Sequence, residues 1–328
     1  MPKGSNFRFT RNIQPICNVF RLNQVNRPIM RRKHIPCTFF VFLFAILFLA
    51  GSCRKFDGEQ TVPSYIRIDT ITLFTEYGSE GANTHNISDA WVYVNGQLIG
   101  AFELPAVFPV LAKGLSKVEI RPGIKLNGIS ATRAHYPFYK PYEVQTILSE
   151  DSITIIKPST SYYNTSVFAW IEDFEGSSIS LVSTSKSDTI IEKTQPSNHP
   201  DAFLSEHSAY SGKVHLIGDA KVFEISSFNG YVLPGRGSPV FVEIDYKCNR
   251  GFGVGVFIKK DNTILTFPLI VVNKSDIWKK IYINLSPIVT EYNNAEYIKV
   301  YFDSDLGTDE TEALYYFDNL KIVYRNNP

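Results

Sequence analysis

The 328-residue chain is poor in sulfur, with four cysteines and two methionines. Beyond Cys53 only Cys248 remains, so no disulfide can form within that part of one chain. Acidic residues are missing from positions 1 to 52, where Lys3, Arg8, Arg11, Arg21, Arg27, Arg31, Arg32 and Lys33 lie. Of 33 basic and 32 acidic residues overall, 25 and 32 therefore fall after that segment, a net charge of −7. An acidic body without a basic stripe argues against a nucleic-acid partner. The six histidines lack metal-ligand spacing, and no nucleophile elbow, phosphate loop or zinc motif occurs. Gly251–Gly255 alternates as a strand with no helix pattern behind it, which excludes a dinucleotide loop. Asp303–Glu310 has its glycine one place early for an EF-hand and reads as an acidic hairpin loop. What is abundant is apolar and aromatic: 44% hydrophobic residues, with 24 Phe and 18 Tyr, enough for a buried core and too much for a disordered chain.

The longest apolar run, Phe39 to Ala50, follows Arg31-Arg32-Lys33 and precedes Gly51-Ser52. Twelve helical residues rise roughly 18 Å, short of the roughly 30 Å hydrocarbon core, so the pattern predicts a signal peptide over 1–52 and not a span. Leu49-Ala50-Gly51-Ser52-Cys53 resembles a bacterial lipobox, which implies that Cys53 is lipidated and becomes the first mature residue. Acyl chains contribute about 0.8 kcal/mol per buried CH₂, so such an anchor holds the chain on a membrane without spanning it. Arg54, standing where Asp would favour inner-membrane retention, implies the outer membrane. The long polar stretch before Met30 suggests that translation starts at Met30, which makes 1–29 a mis-assigned start.

After Cys53 a period-2 alternation between turn signals replaces any 3.6-residue periodicity, so the chain reads as all-β. Residues 53–63 read as a tether, 64–157 as a first sandwich, 158–166 as a polar linker and 167–328 as a second sandwich. In the first, Asn95-Gly96 between alternating runs is the type I′ hairpin signal, since both central residues need positive φ. With Pro105, Gly114, Val118-Glu119-Ile120 and Tyr136-Pro137-Phe138-Tyr139, it resembles the immunoglobulin-like sandwiches of the PEGA or carboxypeptidase-regulatory type.

In the second, Glu172-Asp173-Phe174-Glu175-Gly176, Ser208–Val214, Trp278–Ile283 and Phe317-Asp318-Asn319-Leu320 occur in order. This set resembles the galactose-binding-domain-like jelly rolls, which include many carbohydrate-binding modules. The resemblance implies a jelly roll and a structural calcium held by Glu175, Asp318, Asp173 and the Lys213 carbonyl. Asp173 and Glu175, two apart on a strand, share a face; the alternative is that these are solvated strand-edge acids. It also implies that Trp170 and Trp278 pack the core.

Sugar recognition needs flat aromatic faces beside polar side chains. Tyr231, Tyr297, Lys299 and Tyr301 are the candidates, with Tyr297 and Tyr301 flanking Lys299 on one strand face; Tyr246 and Tyr282 are also available. For any one of these the alternative is cross-strand packing. Cys248 continues the apolar phase of Val240, Val242, Ile244 and Tyr246 and reads as a buried small hydrophobe. The sequence thus points to a non-catalytic outer-membrane lipoprotein that binds a polysaccharide or cell-surface glycan near other outer-membrane proteins. The alternative is a structural or adhesive surface lipoprotein with a protein or cell-wall partner.

Overall fold

Short runs of alternating polarity, each ended by Gly, Pro, Asn or Asp, dictate many strands and few helices. The computed structural model describes residues 62–235, 237–308 and 310–325; the signal segment, Cys53 and the tether up to residue 61 fall outside the described residues. Strands β1 (Ser64–Ile68), β2 (Thr72–Phe74), β3 (Asp89–Val94), β4 (Gln97–Glu103), β5 (Ala106–Val110), β6 (Gly114–Lys125), β7 (Arg133–His135), β8 (Tyr142–Leu148), β9 (Ile153–Ile155) and β10 (Ser159–Ser161) come first. They are followed by β11 (Ser166–Glu172), β12 (Leu181–Ser183), β13 (Glu192–Thr194), β14 (Ser211–Ile217), β15 (Val222–Ser227) and β16 (Val240–Cys248). The chain closes with β17 (Phe252–Lys260), β18 (Thr263–Val272), β19 (Ser275–Asn284), β20 (Tyr297–Asp305) and β21 (Glu312–Arg325). Two short helices, α1 (Tyr77–Glu80) and α2 (Ser286–Glu291), interrupt them. Among the described residues no helix is long and apolar enough to cross a membrane.

The first ten strands form a β4-β3-β6-β7 sheet, with β8 also on β6, packed with smaller β5-β1-β9 and β10-β2 sheets. Asn95 and Gly96 take φ of 52° and 80° at the β3–β4 turn, as that turn type requires. The remaining strands form a jelly-roll sandwich of a six-stranded sheet, β13-β14-β21-β16-β19 with β11 on β21, and a five-stranded sheet, β12-β15-β20-β17-β18. Between these two sheets lie Val242 and Ile244 of β16, Val254 and Val256 of β17, Val300 and Phe302 of β20, and Phe317 of β21.

The segment expected to be a polar linker is not one. β10 pairs in parallel with β2, and Tyr162, just beyond it, is fully buried. Burying a tyrosine ring outweighs the polar composition around it, and composition was what suggested a linker.

The outer face of the six-stranded sheet is covered by the amino-terminal sandwich. Strand register places Lys321, Glu243 and Tyr282 in one row across β21, β16 and β19, and Asp318, Asp245 and Lys280 in another. All six are at least nine-tenths buried. Tyr136 and Tyr162 donate to Glu243 Oε1 at 2.6 and 2.8 Å. Lys280 Nζ donates to Thr84 Oγ1 at 3.0 Å and to Asp245 Oδ1 at 3.3 Å, while Lys321 Nζ donates to the Ala82 carbonyl at 2.9 Å. Phe241, Tyr282 and Val323 of the jelly roll belong to the same apolar cluster as Tyr136, Phe138 and Tyr139. Thr61–Pro328 accordingly forms one compact unit. Desolvation lowers the Lys321 ammonium to about 8 and raises the Asp318 carboxyl to about 8. Both shifts disfavour the charged form, as burial away from water does.

Removing one hydroxyl leaves the buried Glu243 Oε1 with a single donor, which costs a hydrogen bond to a group that water cannot reach. Tyr136→Phe and Tyr162→Phe are each expected to lower unfolding free energy by about 1–3 kcal/mol, measured by urea denaturation. Losses within error for both would contradict the role assigned to Glu243.

Candidate functional site

With one sheet of the jelly roll covered, the outer face of the five-stranded sheet is its open broad face. On β20, Ile298, Val300 and Phe302 point into the core, so the alternate residues Tyr297, Lys299, Tyr301 and Asp303 point outward. Opposite them on β17 stand Lys259, Phe257, Gly255 and Gly253, and on β15 Ser226 faces Tyr301 and Glu224 faces Asp303. Three of the four residues expected to contact sugar therefore come together in one line.

Their surroundings differ from the expectation in an informative way. Tyr301 is only 4% exposed: its ring lies flat over Gly255 and stacks on Phe257, centroids 4.5 Å apart and planes 22° from parallel. Tyr301 thus supports Phe257, and Phe257, half-buried, presents the flat face. Tyr297 is half-buried with its ring against Gly230, and Lys299 Nζ donates to the Phe228 carbonyl at 2.7 Å. That bond brings the Phe228 loop beside the line, where the Phe228 side chain is 61% exposed. Tyr231 is elsewhere: it bridges to Ile298 through its backbone and packs near Trp170, centroids 6.2 Å apart, against the core. Burial raises its hydroxyl to about 12.

Two carboxyls complete the face. Glu224 accepts from Thr184 Oγ1 at 2.7 Å and from Lys186 Nζ at 2.9 Å. Asp303 lies over Gly253, and its carboxyl is raised above the ordinary range by burial, then by the neighbouring Glu224 charge. Phe257 and Phe228 were not singled out from sequence. The signal for Phe257 was present, since it falls opposite Lys299 once β17 and β20 are paired; Phe228 is placed by a loop and carried no periodic signal.

The carboxylates proposed for calcium each accept hydrogen bonds from protein donors. Glu175 Oε1 accepts from the backbone N–H groups of Ala209 and Tyr210, both at 2.8 Å. Asp318 accepts from Ser208 Oγ at 2.5 Å and from the Asn319 N–H at 2.7 Å. Asp173 accepts from Tyr77 Oη and from the Glu175 N–H. The Lys213 backbone, whose carbonyl was the expected ligand, lies between β13 and β21, opposite Glu192 and Tyr316. Among the described residues no three His, Cys, Asp or Glu side chains gather as a metal site. Glu175 and Asp318 both reach the Ser208–Tyr210 loop, while Asp173 holds the Tyr77 hydroxyl.

Burial changes the expectation for several aromatic residues. Tyr282 is fully buried under the amino-terminal sandwich and Tyr246 is 7% exposed, so neither is free to stack on a sugar. Trp170 packs the core, whereas Trp278 shares the outward phase of Lys280 and packs on Phe203, centroids 5.0 Å apart. Cys248 is buried as its phase implied, and desolvation pushes its thiol up to about 11.

Two expected outcomes follow from this geometry. A Cβ on Gly255 would run into the Tyr301 ring and the Phe267 carbonyl, so Gly255→Ala should destabilise by about 1–3 kcal/mol through overpacking, read from thermal melts. At pH 8 about a thousandth of the Cys248 thiol is ionised, so iodoacetamide should leave it unlabelled in the fold and label it in urea. Because its folded pKa lies above the unfolded one, the native state holds that proton longer, and the associated stability is lost as pH rises from about 9 toward 11.

No protein-family profile matches the chain, and no curated protein matches it. Similar solved structures include the CBM22-1–GH10 modules of endo-1,4-beta-D-xylanase 10B from Clostridium thermocellum, complexed with xylohexaose. That match has 15% identity and a TM-score of 0.36, covering 49% of this chain and 28% of that one. The chain thus spans under a third of that protein's length. The family 30 carbohydrate-binding module of a Clostridium thermocellum cellulosomal cellulase matches at 15% identity and TM-score 0.33, over 48% of this chain and 96% of the module. A cyclase from Fischerella sp. TAU matches at 12% identity and TM-score 0.36, over 50% and 99%. The structural neighbours thus include carbohydrate-binding modules alongside a cyclase, and with TM-scores this low they assign no function.

Proposed function

We propose that the protein is a non-catalytic glycan-binding lipoprotein that lays a polysaccharide along the open face of the five-stranded sheet. The observation that supports this is the line Tyr297, Lys299, Tyr301 and Asp303 on β20, with Phe257 stacked on the Tyr301 ring, which fills the space over Gly255. Sugar rings carry CH faces that pack on flat aromatics and hydroxyls that need fixed donors and acceptors. Phe257, Tyr297 and Phe228 supply the former; Lys299 and Asp303 supply the latter. The amino-terminal sandwich buries the opposite sheet, so a ligand meets the molecule from one side.

The leader and Leu49–Cys53 support an anchor at Cys53 in the outer membrane, where captured glycan would be handed to neighbouring outer-membrane proteins. Growth with labelled palmitate tests the anchor: the wild type should carry label and Cys53→Ser should not.

A glycan-array screen of the whole chain, followed by calorimetry on the best polysaccharide, tests the binding face. Phe257→Ala and Tyr297→Ala should each remove about 0.5–1.5 kcal/mol of binding free energy, roughly a two- to ten-fold rise in Kd. A folded protein that binds no glycan, or one whose affinity neither change alters, would overturn the proposal.

A further inference from the structure

A second recess lies away from the open sheet face, where the turn after β6 meets the β18–β19 hairpin. Its volume is about 530 Å³, within the range of small-ligand pockets. Gly128, at φ 71°, rests against Ile281 and so brings the 126–130 turn over the edge strand β19. The backbone holds this junction: the Asn127 N–H donates to the Tyr282 carbonyl and the Asn284 N–H to Asn127 Oδ1, both at 2.9 Å. The recess is therefore built by both sandwiches.

Its chemistry has one sign. Four lysines line it, Lys125, Lys274, Lys279 and Lys280, and no aspartate or glutamate does. Two of these are committed: Lys125 pairs with buried Asp89 at 2.9 Å, and Lys280 with Asp245 at 3.3 Å. Lys274 and Lys279 are exposed and form no salt bridge among the described residues. Beside them stand Asn273 and Ser130, with Val272 and Ile281 as an apolar floor. Uncompensated ammonium groups act as compact point charges for an anion, and amide and hydroxyl groups suit the hydroxyls of a sugar.

We infer that this recess is a second binding site, for an anionic sugar residue, with Lys274 and Lys279 taking the charge. A uronate and a sulfated sugar share that chemistry, and the test separates them. The inference does not rest on the open sheet face.

Titration calorimetry of the whole protein at low salt, with tri-galacturonate, a sulfated galactan trisaccharide, neutral galactotriose and inorganic sulfate as probes, tests it. One of the two acidic trisaccharides should bind at least tenfold more tightly than galactotriose and than sulfate, and its affinity should fall as salt rises. Lys274→Ala with Lys279→Ala should lose at least tenfold toward that probe while melting as the wild type does. Phe257→Ala should leave it unchanged, which separates this site from the sheet face. Equal binding of acidic and neutral sugars, wild-type affinity in the double variant, sulfate as tight as the trisaccharide, or no binding of either acidic sugar would each overturn the inference.

Discussion

Glu243 sits on the outer face of β16 with no exposure to water, and Tyr136 and Tyr162 of the amino-terminal sandwich hold one of its oxygens. Among the described residues its other oxygen finds no hydrogen-bond donor, and it lies 3.7 Å from Lys280 Nζ. A carboxylate in that position is costly unless every neighbouring charge and donor stays in place. Two lysines, three acids and four tyrosines are therefore buried together, and the tyrosine rings supply the apolar contact that a junction of charges alone would lack. Separating the sandwiches would strand these groups, so the junction is specific in register as well as in partner.

That constraint shapes both candidate sites. Covering one face of the jelly roll leaves the five-stranded sheet as its broad outward surface, on which β20 and β17 align rings, glycines and polar groups. The same junction creates the lysine-lined recess, because the turn at Asn127 and Gly128 is held over β19 by hydrogen bonds to strand residues. In each case the backbone that positions the site is strand or tightly bonded turn.

Much of this was legible in the sequence. Alternation in β16, β17 and β20 gave their facing residues correctly, and Asn95-Gly96 announced its hairpin. Placing Tyr297, Lys299 and Tyr301 on one face needed only the period of two. What could not be read was which face another part of the chain would cover. Tyr282 and Tyr246 looked as available as Tyr297, and only packing against Tyr136, Tyr139 and the interior removed them. The polar stretch around Tyr162 read as a linker because composition does not reveal a single buried ring. Glu175 and Asp318 approach a common loop, where backbone N–H groups and the Ser208 hydroxyl hydrogen-bond to them. Which donor reaches a carboxylate depends on loop geometry that period and spacing do not encode.

The central claim is that the junction makes one cooperative body whose free surface is the five-stranded sheet. Native-state hydrogen exchange across a urea series tests it most directly, because it reports the opening free energy of each strand separately. The account predicts that slow amides of β3 and β6 converge with those of β16 and β21 on one global unfolding line. Exchange of β3 and β6 through a distinct opening of lower free energy, with β16 and β21 still protected, would contradict it.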